Sequence, residues 1–302
     1  MIPVSPSRRP ALVALVVLSL IWSYNWIVMK QALQFSGPFT FSALRYVFGT
    51  LVLFAVLLLR GESLRPPPLL PTALIGLAQT CGFQLLVQSA LVVGGAGKTA
   101  LLAYTMPFWV VLVGWFAFGQ RPDARLGAGL LVAACGLLLV LEPWQGFGDA
   151  SSSALALGGG LAWAIGVVLS RREFERGGIS ALSLTAWQML IGTLGVIAVA
   201  LVVPERTIEW SHWFIGALIY NALLASGLAW LMWSYVVARL PANVAGLSSL
   251  VIPITGVGFA WMLLGERPTL VEGAGIALIG GALAVVSLRR HDRSTPTATR
   301  AT

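Results

Sequence analysis

The residues able to do chemistry in this sequence sit inside long apolar runs. Arg45 is the one charge in the middle of such a run. An arginine at the centre of a membrane helix costs about 2.5–3.5 kcal/mol on insertion scales, so it needs a reason. Two stay open: a snorkelled or internally bonded brace between helices, or a contact for a substrate carboxylate or a gate. Trp22, Trp109 and Trp163 each lie about 11 or 12 residues into their runs, away from the bilayer interfaces where tryptophan collects. A buried indole wants a partner for its N–H, which lipid cannot supply. These rings therefore either pack inside a bundle or wall an aromatic cavity there.

Polar side chains accompany them at helical spacing. Ser19, Trp22, Trp26 and Lys30 share a face, and Thr80, Gln84 and Gln88 recur every fourth residue. Tyr104 and Trp109 flank Pro107, Ser248 and Ser249 precede Pro253, and Gln188 and Asn221 interrupt two further runs. In lipid such groups bind helices together about as often as they bind ligands. Trp22, Trp26, Gln84, Gln88, Tyr104, Trp109, Trp163, Gln188, Ser248 and Ser249 are the expected substrate contacts, with Arg45, Pro107 and Pro253 as gating or structural positions. Each proline removes a backbone donor, either loosening its helix near the cavity or fixing a static kink. Aromatic walls with neutral polar points suit an amphipathic molecule such as an aromatic or large neutral amino acid. A sugar phosphate would need clustered Arg or Lys.

Other chemistries lack their parts. Gly94-Gly95-Ala96-Gly97-Lys98-Thr99 ends like a P-loop, but Val92 stands where that motif needs its first glycine. There is no His-Glu-x-x-His or Gly-x-Ser-x-Gly, and the two histidines, His212 and His291, fall at the edges of apolar runs. A metal site or catalytic triad needs several converging groups, so neither an enzyme nor a cofactor is expected. Cys81 and Cys135 lie in apolar runs and read as packing residues, not a disulfide. All eleven acidic residues fall in loops or at helix ends. A proton-coupled carrier places a carboxylate or histidine in the membrane, so movement down the substrate's own gradient is the expectation.

The elements that must position these groups follow from composition. Of 302 residues, 58% are apolar and 10% charged, with a mean hydropathy of +0.87. A soluble domain carries roughly 25% charged residues and cannot hide this much apolar surface. Ten continuous apolar runs are visible: 10–30, 38–59, 71–92, 97–119, 125–141, 152–170, 180–203, 213–238, 242–264 and 270–288. Each approaches the length that spans a bilayer as a helix; β-barrel strands would be short and alternating. The first run is too long, and too rich in Asn25 and tryptophan, for a signal peptide. With the N-terminus inside, 14 basic residues fall on the cytoplasmic side and 4 outside. That bias sets orientation and accounts for the net charge of +8 without a nucleic-acid partner.

The runs repeat. Residues 97–140 and 243–286 share 12 of 44 positions without gaps, including Pro107/Pro253, Trp115/Trp261 and Gly127-Ala128-Gly129/Gly273-Ala274-Gly275. Gly119-Gln120-Arg121-Pro122 meets Gly265-Glu266-Arg267-Pro268. Trp22 and Lys30 correspond more weakly to Trp163 and Arg171, and Gly49-Thr50-Leu51 to Gly192-Thr193-Leu194. Five helices per half is an odd number, so the second half enters from the opposite side, an arrangement common in secondary transporters. The small residues of the fifth and tenth runs, such as Gly136 and Gly281, permit close helix contact away from substrate.

Ten helices in two halves, with a Gly-x-Arg-Pro loop and a Gly-x-Gly in each, resemble the drug/metabolite transporter superfamily of the EamA type. Gln120 departs from the glutamate usual in that loop. The resemblance, over 10–288, implies an all-helical exporter of small metabolites in a bacterial inner membrane, most like the aromatic amino-acid exporters and monomeric or homodimeric. Its expected parts are a cytoplasmic tail (1–9), a first repeat (10–141), an outside linker (142–151), a second repeat (152–288) and a cytoplasmic tail (289–302). Nucleosides or lipophilic drugs are the alternative cargo; a scaffold or an intramembrane enzyme fits less well.

The charge split predicts that both termini are cytoplasmic. Alkaline phosphatase fused after Arg300, active only in the periplasm, should stay dark, and an active fusion would reverse the topology.

Overall fold

Lipid offers the backbone no hydrogen-bond partner, so a chain this apolar closes its bonds in helices. The computed structural model describes residues 9–94, 96–141, 144, 150–240, 245, 249–264 and 269–288, and their regular structure is helical throughout. In chain order the helices are α1 (Arg9–Ala32), α2 (Pro38–Leu59), α3 (Leu69–Val93), α4 (Ala96–Ala103), α5 (Met106–Phe118) and α6 (Ala124–Leu141). There follow α7 (Ala150–Arg176), α8 (Ala181–Val202), α9 (His212–Arg239), α10 (Val251–Leu264) and α11 (Leu270–Leu288).

Seven stretches among the described residues are long and apolar enough to cross a bilayer: α1 from Pro10, α2, α3, Thr99–Phe118, α7, α8 and α9. The fifth and tenth runs appear as α6 and α11, which hold the shorter apolar segments Ala124–Leu139 and Gly273–Ala282. In the ninth run, Ser249 and Leu250 form a turn before α10. The recurring loop at 265–268, Ser248, residues 1–8 and the tail 289–302 lie outside the described residues. Large apolar side chains face outward, among them Phe116, 77% exposed, and Leu201, 82% exposed. A water-soluble surface does not carry such a coat.

Polar side chains close the helix ends that sequence leaves open. Ser180 accepts from Ser183 N at 3.0 Å and Ser211 from Phe214 N at 3.1 Å, capping α8 and α9. At α2 the cap comes from far along the chain: Glu205 accepts from Phe39 N at 2.8 Å and Thr40 N at 2.7 Å. Gly119 ends α5 at φ +66°, a left-handed position that favours glycine.

Two departures from regular helix recur at one spacing. α3 is π-helical over Gly76–Gly82, and α9 over Asn221–Leu228, starting 145 residues later. The turn at Tyr104–Thr105 between α4 and α5 is matched by the turn at Ser249–Leu250, again 145 residues on. This changes the role of the prolines. Pro107 lies in the first turn of α5 and Pro253 in that of α10, where a missing N–H leaves no helical bond unmade. They restart helices already interrupted and do not kink continuous ones.

Packing interleaves the two parts of the chain. α1 lies against α9 and α10, α2 against α8 and α9, and α3 between α7 and α8. α6 and α11 pack mainly on each other, with Gly136 facing the backbone of Gly275 and the side chain of Ile279. Where α3 crosses α8, Gly76 and Gly192 meet: a Cβ on Gly192 would fall on Gly76 O and Thr80, and one on Gly76 on Gln188 O. Gly192→Val should therefore cost about 1–3 kcal/mol through backbone displacement. Gly216→Ala, with open space around its Cβ, should gain up to about 1 kcal/mol of helix propensity. Thermal unfolding in detergent, followed by monodispersity after heating, checks both signs.

Candidate functional site

α1 presents Trp22, Asn25, Trp26 and Met29 along one stripe, at the i, i+3, i+4, i+7 spacing of a helix face. That stripe lines a small internal cavity of about 30 Å³. Opposite it stand Arg45 and Tyr46 of α2, Phe83 and Gln84 of α3, Tyr104, Trp163 of α7 and Trp230 of α9. In this conformation the clear space accepts a few waters, not a whole amino acid.

One end of the cavity is a knot of indoles. Trp22 meets Trp163 with ring centroids 5.6 Å apart at 81° and Trp230 at 5.3 Å and 66°. Trp233 packs behind both, 5.9 Å from Trp22 and 5.5 Å from Trp163. Tyr104 and Phe83 close on Trp163 at 5.6 Å and 5.2 Å. Edge-on and tilted pairs of this kind contribute about 0.5–1.5 kcal/mol each beyond area burial. Trp22 Nε1 donates to Ala225 O at 3.0 Å, in the π-helical stretch of α9, and Trp26 Nε1 donates to the Tyr104 hydroxyl at 3.3 Å. Trp163, 2% exposed, has a buried Nε1 with no partner.

The other end carries charge. Arg45, 2% exposed, donates from Nε to Ser226 Oγ at 3.1 Å and from a terminal nitrogen to Met29 Sδ at 2.8 Å. Its guanidinium stands 4.8 Å from the Tyr46 ring centre. Tyr46 in turn donates to Gln84 Oε1 at 3.1 Å, and Gln84 donates to Ser42 Oγ at 3.1 Å. Among the described residues no carboxylate pairs with Arg45 or lines the cavity. Glu173 is buried, but near the end of α7, where Arg176 pairs with it. No group of His, Cys, Asp and Glu able to hold a metal is found among the described residues.

Of the residues singled out from sequence, Trp22, Trp26, Gln84, Tyr104, Trp163 and Arg45 meet at this cavity. Others do not. Trp109 is only half-buried, donates to Thr105 Oγ1 of the same turn at 3.2 Å, and faces an open apolar groove between α5 and α7. Gln188 accepts from Thr80 at 2.8 Å, joining α3 to α8. Gln88 is fully buried with neither amide atom partnered, yet outside this cavity. Ser249 is buried at the turn before α10 and does not line the cavity, and Ser248 lies outside the described residues. Sequence reasoning missed Asn25, Met29, Tyr46, Phe83 and Trp230. Asn25 and Met29 were within reach of it, because they complete the Trp22–Trp26 face. Tyr46, Phe83 and Trp230 carry no spacing signal of their own.

Relatives agree with the architecture. The model of the EamA-like transporter family matches residues 9–142 and 151–288. An uncharacterized transporter of Bacillus subtilis, YoaV, is 26% identical, covering 89% of this chain and 93% of its own. A probable amino-acid metabolite efflux pump of Salmonella typhimurium is likewise 26% identical, covering 90% and 93%. A solved chain titled only "Crystal structure of protein" superposes with a TM-score of 0.76 at 24% identity, over 92% of this chain and 96% of that one, and so shares the fold. With the family model matched across almost its whole length, this chain belongs to the EamA-like transporter family, multi-pass membrane proteins of the drug/metabolite transporter superfamily.

Proposed function

We propose that the protein exports aromatic or large neutral amino acids across a bacterial inner membrane, by alternating access around the Trp22–Trp163–Trp230 cavity. The observation that carries this reading is the cavity itself, an internal space walled by indoles and rimmed by one unpaired cation. The name of the Salmonella relative, an amino-acid metabolite efflux pump, points the same way.

Alternating access requires two like halves in opposite orientation, and three local features support that arrangement here. The π-helical stretches and the pre-proline turns recur 145 residues apart. The family model matches once in each half. A pair of cations also repeats its role. Lys30 donates to Leu91 O at 2.6 Å and Gly94 O at 2.9 Å at the end of α3, and Arg171 to Val237 O at 3.2 Å and Ala238 O at 3.0 Å at the end of α9. Cations favour helix C-termini. In an inverted pair of halves these two contacts lie on opposite membrane faces, with both termini cytoplasmic.

In proteoliposomes, Trp163→Leu and Trp22→Leu should each reduce counterflow of labelled phenylalanine about tenfold or more, the equivalent of at least ~1.4 kcal/mol of lost stabilisation. Trp109→Leu should stay near wild type. Equal rates in all three would return the indoles to packing.

Among the described residues no carboxylate or histidine lines the cavity, which supports movement without proton coupling. With equal phenylalanine on both sides, an imposed pH gradient should produce no net accumulation. Accumulation that collapses with a protonophore would contradict this and direct attention to Glu205, which lines an open cleft with Lys30 and Arg206.

A further inference from the structure

We infer that the cavity reads both charges of a free α-amino acid: Arg45 receives the α-carboxylate and Asn25 Oδ1 the α-ammonium, while the side chain lies against Trp22 and Trp163. The assignment rests on the transport reading above and adds what that reading lacks, a reason to prefer a zwitterion over any other aromatic molecule.

Two buried polar groups lack the partners their chemistry demands. The Arg45 guanidinium meets the Ser226 hydroxyl, the Met29 thioether and the Tyr46 side chain, all neutral. Ion pairs among the described residues join Arg171 to Glu175, Arg176 to Glu173 and Arg206 to Glu209, all away from the cavity. A buried cation without a counter-anion is far costlier than a paired one, and arginine presents a planar fork that fits a carboxylate. Asn25 is 4% exposed, and its side-chain oxygen is buried without a donor. Buried amide oxygens are ordinarily bonded. An ammonium supplies the missing donor, as a carboxylate supplies the missing anion.

Their placement matches one molecule. Asn25 and Met29 are one turn apart on α1, and Met29 touches Arg45. One turn is about 5 Å, a gap that two groups borne on a single carbon can bridge through hydrogen bonds to both sides. Trp22 lies one turn before Asn25 on the same face. Along α1 the order is therefore indole wall, neutral acceptor, cation, which is the order of side chain, ammonium and carboxylate in a bound amino acid. The indole faces beside Asn25 also favour an ammonium.

The test is competition against counterflow of labelled phenylalanine in proteoliposomes of the wild-type protein. The competitors, all bearing the same ring, are unlabelled phenylalanine, phenylalanine amide, phenylethylamine and 3-phenylpropionate. Phenylalanine should compete at least about tenfold better than each analogue, since a site built to bond a polar group rejects ligands that leave it unpaired. Arg45→Gln should abolish the preference over the amide, and Asn25→Leu the preference over 3-phenylpropionate. Equal competition by all four compounds would overturn the zwitterion site and leave the aromatic-cavity reading standing. Retained preferences in both variants would overturn the assignment to Arg45 and Asn25. Absence of phenylalanine counterflow in the wild type would overturn both readings. The wild-type arm needs no variant to fold.

Discussion

A bilayer interior offers no hydrogen bonds, and that one constraint organises the molecule. Every polar group carried into the apolar runs must find its partner inside the protein. Partners come largely from distant parts of the chain. Trp22 donates to Ala225 O, Tyr220 to Ile21 O at 2.6 Å, Ser23 to Ile252 O at 2.7 Å, and Arg45 to Ser226. The bonds that satisfy α1 and α2 are therefore the bonds that attach them to α9 and α10. Apolar burial cannot do this job, because lipid tails are as apolar as leucine.

The same constraint gives the irregular backbone its place. A π-helical turn shifts its carbonyls off the regular ladder, and such turns gather at functional sites. In α9 the stretch Asn221–Leu228 supplies both the acceptor for Trp22 and the hydroxyl for Arg45, so the indole end and the cationic end hang from one distorted segment. Its counterpart in α3 is pressed on Gln188 and Gly192 of α8, with Thr80 bonded to Gln188. Glycine is required at that crossing for space alone.

Buried polar atoms without a partner occur at the cavity, in Asn25 and Trp163, and also away from it, in Gln88, Gln188 and Asn221. At the cavity an indole N–H and an amide oxygen have no partner, and a guanidinium has neutral partners in place of a counter-anion. A packed core would select against such groups, each costing about 1–3 kcal/mol when left unmade. On the proposed reading, those at the cavity are kept for the ligand.

Sequence by itself determined the class: too little charge for water, runs long enough for helices, and a repeated Gly-x-Arg-Pro that carried the family resemblance. It also singled out Trp22, Trp26, Gln84, Tyr104, Trp163 and Arg45, which line one cavity, because polar or aromatic residues deep in an apolar run stand out against their neighbours. Trp109, equally deep by count, does not line that cavity, because depth says nothing of azimuth; its bond lies within its own turn and it faces a separate groove. It read Pro107 and Pro253 as interior breaks, because a gap between helices inside one apolar run leaves no compositional trace. Tertiary structure alone decided which helix faces meet. Tyr46, Phe83 and Trp230 join the site only because α2, α3 and α9 turn those faces toward α1 and α7, and those rotations are set by contacts between residues far apart in the chain, which no local pattern encodes.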